Sequence, residues 1–398
     1  MTYDVARVRG LFPSLGDGWI HLDPQAGSQI PDSVASTVSK AFRALVSQPG
    51  GVYPAARQSQ AVVDAARQAV ADLVGGDPAG VVLGPSRGIL LSTLAEALPP
   101  RLWLGSTAVV SRLDDEPNII GWLRAADRYG ARVRWAEVDI ENGELPPWQY
   151  SDLLDDATAI VAVTAASSTI GTVTDVAAIG AAARAAGALF VVDATSAAPY
   201  TVLDIEAMGA DVLVVSAERW GGPQVAALAF RDPGRIATLR SSGLSTSTSG
   251  PGRLEVDGLH HALLAGLAAS VEHLASLDDA ATGSRRDRLV TSIASLNGYL
   301  RRLTAYLAES LSHLDFVHMV GSAAERVPTV SFTVDGVAAD KVARRLADNG
   351  ICALVDQPSR ALDVIGVGDV GGAVTIGLGQ YSTPYEVDQL VRCLGSLG

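Results

Sequence analysis

The sequence is poor in lysine and cysteine, and each shortage excludes something. Of 30 basic residues only Lys40 and Lys341 are lysines, so chemistry that needs a side-chain amine has two candidates in the whole chain. A coding bias toward arginine explains the general imbalance, though not its occurrence at one position considered below. Two cysteines, Cys352 and Cys393, build neither a disulfide framework nor a four-ligand zinc site, and this usage fits a reducing compartment. Neither His260 nor His261 has ligand spacing to another histidine, so no metal site is expected. The net charge is −13 with no basic run. Nucleic acid or an anionic membrane surface would need clustered Lys/Arg, so neither partner is expected. Apolar runs such as Ala188–Val192 and Val212–Val215 have strand length, far short of a membrane span. The start has no basic segment leading into an apolar one, as a signal peptide would, so a cytoplasmic protein is expected.

What is present is a well-buried globular composition. The 398 residues are 48% hydrophobic and 18% charged, enough for two domains with sizeable cores. Short β-branched runs alternate with Ala/Leu-rich helical patterns between about residues 60 and 235. Strands are expected at Val81–Leu83, Ala108–Arg112, Arg132–Val138, Ala159–Thr164, Ala188–Asp193, Asp211–Ser216 and Val225–Phe230. Helices are expected at Ser59–Val74, Gly88–Ala97, Asn118–Tyr129 and Asp175–Ala186, the last closed by Gly187. This alternation predicts an α/β fold: a mostly parallel seven-stranded sheet sandwiched by helices. A polar Ser/Thr/Gly loop, Ser241–Pro251, ends it, and a long helical region runs from Leu259 to His313. The tail reads strand, helix, strand, strand, helix (Thr329–Val334, Ala338–Asn349, Cys352–Val355, Ala373–Gly377, Thr383–Leu394), a small C-terminal α+β domain. The expected division is an N-terminal arm (1–20), a large α/β domain (21–255), an interface or linker helix region (256–285) and the small domain (286–398).

Open α/β sheets bind ligands at the carboxyl ends of their strands. Four such ends stand out: Gly84-Pro85-Ser86-Arg87-Gly88, Arg112-Leu113-Asp114-Asp115-Glu116-Pro117-Asn118, Asp193-Ala194-Thr195-Ser196, and Ser216-Ala217-Glu218-Arg219. Together with His21-Leu22-Asp23-Pro24-Gln25-Ala26-Gly27 and Gly379-Gln380-Tyr381-Ser382-Thr383, they follow the order and spacing of one family from about Ile20 onward. The chain resembles a class V aminotransferase of the cysteine desulfurase-like group, with the fold type I architecture that binds pyridoxal 5′-phosphate (PLP). The resemblance implies a homodimer with pockets at the subunit interface, and a cofactor set at Arg87, Gly88, Ser168, Asp193, Ser196 and Ser216. Asp193 stands where the family pairs an Asp with the pyridine nitrogen.

The departures concern the reactive groups. Arg219 stands where the family's Lys forms the Schiff base, and a guanidinium cannot supply a neutral amine to an aldehyde. Glu218 replaces a His that reaches the phosphate, and Asp115 replaces the His that stacks on the ring. Gly88 replaces a phosphate-binding Thr, Ser168 and Ser196 replace a longer Asn and Gln, and Thr375 replaces an Arg that holds a substrate carboxylate. The desulfurase nucleophile would fall near Val355–Arg360, where there is no Cys. Covalent PLP binding is therefore expected to be absent.

Arg219, Asp115 and Glu218 are then the residues on which any remaining catalysis would rest. Arg219 is expected to pair with Asp193, Asp115 or Glu218 and partly fill the cofactor space. Ser86-Arg87-Gly88 at a helix start is either an anion cradle or an ordinary strand–turn–helix junction. Three readings follow: a silent homologue or one repurposed for lysine-independent small-molecule chemistry; a non-covalent binder of PLP or another phosphorylated metabolite; and a structural or regulatory pseudoenzyme.

Overall fold

A computed structural model describes residues 3–44, 47–98, 102–242, 249–355 and 357–397. The strands in chain order are β1 (Ile20–His21), β2 (Val81–Gly84), β3 (Thr107–Ser111), β4 (Arg132–Ala136), β5 (Thr158–Thr164), β6 (Leu189–Asp193), β7 (Val212–Ser216), β8 (Ala226–Phe230), β9 (Val317–Val320), β10 (Thr329–Val334), β11 (Ile351–Cys352), β12 (Leu354–Val355) and β13 (Val374–Gly377). The large sheet has the order β2-β8-β7-β6-β5-β3-β4. Only β8 runs against its neighbours, so the mostly parallel seven-stranded sheet expected from the alternation is present.

The apolar runs are continuous because both faces of this sheet are covered. Along β6, Phe190 and Val192 join one core cluster while Leu189 and Val191 join the other. Successive side chains point to opposite faces, so a strand buried on both faces shows no polar alternation. Helix boundaries follow local chemistry. The Ser86 hydroxyl accepts from the Ile89 N–H and starts helix Arg87–Ala97, and Asp175 does the same for Ala178 at helix Val176–Ala185.

Two expectations change, and one strand was not expected. The helical stretch 259–313 is two helices, His261–Ala275 and Arg285–Ser312, the second opened by a Ser284/Asp287 capping box. The strand expected at 352–355 is divided: β11 pairs with β1, and β12 joins the antiparallel sheet β12-β13-β10-β9. β9 carried no alternation signal because its two central residues, His318 and Met319, are both exposed. Of the Ser241–Pro251 loop, residues 243–248 lie outside the described residues, as does residue 356 in the segment at 355–360. No helix among the described residues is long and apolar enough to cross a membrane.

Candidate functional site

The carboxyl ends of the parallel strands converge on one cluster. Asp193 is the last residue of β6 and Ser216 the last of β7. Ser168 follows β5, Asp115 sits at the N-terminal cap of helix Glu116–Tyr129, and Arg87 opens helix Arg87–Ala97. The turn that presents Asp115 is held by its neighbour. Asp114 is buried and accepts from the Ser111 N–H, the Ser111 hydroxyl and the Asn118 amide. Burial pushes the Asp114 carboxyl up to about 7, against these hydrogen bonds.

Arg87 is the hinge of the site. One terminal nitrogen donates to Asp193 Oδ2 at 2.5 Å and the other to Asp115 Oδ2 at 2.7 Å. The Ser168 hydroxyl donates to the second Asp115 oxygen at 2.7 Å, and the Thr195 N–H to Asp193 Oδ1 at 2.9 Å. Arg87 is 11% exposed and Asp193 1%, so this is an interior ion network. Burial alone would raise the Asp115 carboxyl, yet the Arg87 guanidinium and the Ser168 hydroxyl outweigh it and hold Asp115 below the usual carboxylate range. Burial likewise opposes charge on Arg87, and the two carboxylates overcome it and raise its pKa.

This corrects the expectation that Arg219 neutralises the acids. Arg219 makes no ion pair among the described residues; its Nη1 donates to the Gln25 backbone carbonyl. Burial, with the nearby Arg87 cation, pushes its pKa down. Glu218 does not serve it either, because both its carboxylate oxygens lie within 2.7 Å of the Ser216 hydroxyl. Arg87 wins the carboxylates because the helix start at Ser86 puts it between the ends of β6 and β3. Arg219 follows β7 on a turn, Ala217–Trp220, whose backbone is pinned to the N-terminal segment by the Ser28 N–H donating to the Glu218 carbonyl.

The remaining expected residues divide. Ser196 is buried in the turn after β6. Gly88 is not brought into the cluster; it lines an open recess of about 520 Å³ with Glu96, Glu116 and Arg124. Asp115 and Glu218, two of the three residues on which remaining catalysis would rest, have separate hydroxyl partners, Ser168 and Ser216. Beside Arg219 is a cavity of about 10 Å³ lined by Ser28, Tyr200, Trp220 and Gln380. Such a volume holds about one water. Lys40 and Lys341 lie on exposed helix faces. Thr375 shares a 2.6 Å hydroxyl contact with Ser331 inside the small sheet. Asp114 and the Gln25 carbonyl were not among the expected site residues. The adjacent pair Asp114-Asp115 was visible as a signal for the first, while a backbone acceptor leaves no mark in a sequence.

Taken together, the cluster is an arginine bridging two carboxylates, with the Ser168 hydroxyl on the second oxygen of Asp115 and the Thr195 N–H on that of Asp193. Among the described residues it contains no amine and no thiol, and Glu218 shares the single Ser216 hydroxyl between its two oxygens. The aminotransferase class-V family model matches residues 20–390. An uncharacterized protein of Mycobacterium tuberculosis is 56% identical over 100% of both chains. An aminotransferase-like protein of Gibberella zeae is 28% identical over 99% of this chain and 98% of its own. The apo structure of a cysteine desulfurase from Thermococcus onnurineus superposes with a TM-score of 0.87 at 22% identity, over 98% of this chain and 97% of that one.

Proposed function

This chain belongs to the aminotransferase class-V family, and we propose that it is a member without Schiff-base chemistry, acting as a structural or regulatory pseudoenzyme. The observation that carries the reading is the bridge from Arg87 to both Asp193 and Asp115. In the family reading those two positions flank the PLP ring, at its nitrogen and on its face. A guanidinium hydrogen-bonded to both stands where the ring would lie. It also supplies the cationic N–H that Asp193 would otherwise take from a pyridinium. The residues present therefore do not fit PLP: its nitrogen partner is engaged, Arg219 replaces the amine, and Glu218 puts a carboxylate where a phosphate would need a donor.

The non-covalent binder has less support. Of its four proposed contacts, Arg87 is taken up by two acids and Gly88 faces a recess with two glutamates. Ser216 is bonded to Glu218, and the cavity at Arg219 is too small for a phosphate. Repurposed lysine-independent catalysis has no unengaged acid or base in the cluster to work with.

The homodimer is part of the proposal. Segments 47–49 and 255–261 line a recess of about 490 Å³. Beside it the Phe42 ring packs at a tilt against His260, and Phe42, Val52, Tyr53 and Val256 are exposed apolar side chains. Such a concentration of apolar surface fits burial against a second copy.

The test is titration of the full chain with PLP, borohydride reduction and mapping of adducts by mass spectrometry. The expected result is no saturable absorbance change and no reduced adduct at one stoichiometric site. Arg219→Lys alone is expected to stay silent, whereas Arg87→Thr combined with Arg219→Lys gains an adduct at position 219. A site-specific adduct in the unaltered chain, or one in Arg219→Lys alone, overturns the reading.

A further inference from the structure

Away from this cluster, the two ends of the chain meet in a short parallel pair. β1 and β11 are in register with His21 opposite Cys352. The Leu22 N–H donates to the Cys352 carbonyl and the Gly377 N–H to the Leu22 carbonyl, so the segment is fixed on both sides. Asp23, two residues beyond His21, completes a group of three. A ring nitrogen of His21, a carboxylate oxygen of Asp23 and the sulfur of Cys352 all lie within 4.8 Å of one another. All three residues are partly buried.

Two further details are unexplained by packing. Asp23 Oδ1 is a buried carboxylate oxygen with no hydrogen-bond partner among the described residues. A bare acceptor of this kind is costly in a folded interior. His21 Nε2 lies 3.2 Å from the Asp17 carboxylate. With the Nε2 proton directed to Asp17, the lone pair on Nδ1 is the one left to offer, facing only the Gln29 amide at a long 3.4 Å. A carboxylate on the far ring nitrogen is the usual orienting partner of a metal-bound histidine.

We propose that His21, Asp23 and Cys352 form a binding site for a zinc-class divalent cation, with Asp17 as the positioning residue and a fourth coordination place open to water. The donor set selects the class. A thiolate beside an imidazole and a carboxylate favours zinc or cobalt over magnesium or calcium, which take oxygen ligands. The required adjustment is small. Bonds of about 2.0–2.3 Å in a tetrahedron put ligand atoms roughly 3.5 Å apart, so the group closes by about 1 Å. Linear spacing gave no hint of the site, because His21 and Cys352 come from opposite ends of the chain. A bound cation would clip β1 to β11. It would also steady the segment whose Gln25 carbonyl takes the Arg219 hydrogen bond.

The full chain, stripped with a chelator and dialysed, is titrated with Co²⁺ alone. The expected result is one equivalent bound, with a thiolate-to-cobalt charge-transfer band in the near ultraviolet and tetrahedral bands in the visible. Cys352→Ser abolishes the charge-transfer band, Cys393→Ser leaves it unchanged, and Asp17→Asn weakens binding about 10- to 100-fold. His21→Ala, with its fold checked by circular dichroism, binds no stoichiometric cobalt. No charge-transfer band, a band that survives Cys352→Ser, or a band removed by Cys393→Ser overturns the proposal. None of these readouts depends on PLP, so the site stands or falls independently of the pseudoenzyme reading.

Discussion

Arg87→Met tests the closed cluster most directly, since it keeps an unbranched apolar stem and removes the charge. Asp193 is 1% exposed and receives one other hydrogen bond, from the Thr195 N–H. Losing Arg87 leaves its charge uncompensated in an interior that water does not reach. Removing one partner of a buried ion pair costs about 3–5 kcal/mol. Asp115 adds less, being 20% exposed and still bonded to Ser168. With an unfolding entropy of about 2.1 cal/mol/K per residue, 398 residues lose about 1.2 °C per kcal/mol, so the midpoint should fall by about 4–6 °C. Arg87→Met with Asp193→Asn should recover at least half of that, because the stranded charge goes too while the Asn carbonyl can keep the Thr195 N–H. The assay is thermal unfolding of the three variants and the parent at pH 7.5 in one buffer. A shift of Arg87→Met within about 1 °C of the parent, or a double variant no better than the single, would refute the argument that Arg87 neutralises a buried acid.

Two further outcomes are expected. Burial pushes Asp114 up to about 7, above the roughly 3.9 of an unfolded Asp. The folded chain therefore keeps a proton that the unfolded chain has lost. That contribution is full below about pH 4 and fades as pH rises to about 7, by at most about 4 kcal/mol. The melting temperature of the parent should therefore drop relative to Asp114→Asn between pH 5 and 7.5, and parallel profiles would contradict this origin. Val256→Asp places a charge on an exposed apolar position beside the recess at residues 255–261. Sedimentation should give a two-chain mass for the parent and a one-chain mass for the variant; a monomeric parent removes the dimer from the reading.

Six of the seven strands of the large sheet were legible because burial on both faces demands apolar runs punctuated by turn residues. The edge strand β4, partly exposed, showed itself by alternation of Arg132 and Arg134 with Val133 and Trp135. Val81–Gly84, Leu189–Asp193 and Val212–Ser216 lie within a residue of where their pattern puts them. β9 and the division of 351–355 were not legible. His318 and Met319 face outward, and pairing with β1 or with β13 is a choice between distant partners that leaves no local trace.

The strand-end carboxylates, the shortage of lysine and the arginine at position 219 follow from the residues alone. A guanidinium cannot become an amine in any fold. Which arginine meets which acid was decided only in three dimensions. Arg87 and Arg219 are the same residue type at the ends of the same sheet, and their charges are equally fit to neutralise Asp193. The Ser86 cap aims one between β6 and β3, while the turn after β7 ties the other to the Gln25 carbonyl. His21 and Cys352 were likewise unconnected in the sequence until β1 and β11 paired. Residue type depends on covalent chemistry and is readable position by position; partnership depends on distances of a few ångströms between segments far apart in the chain, and packing alone sets those.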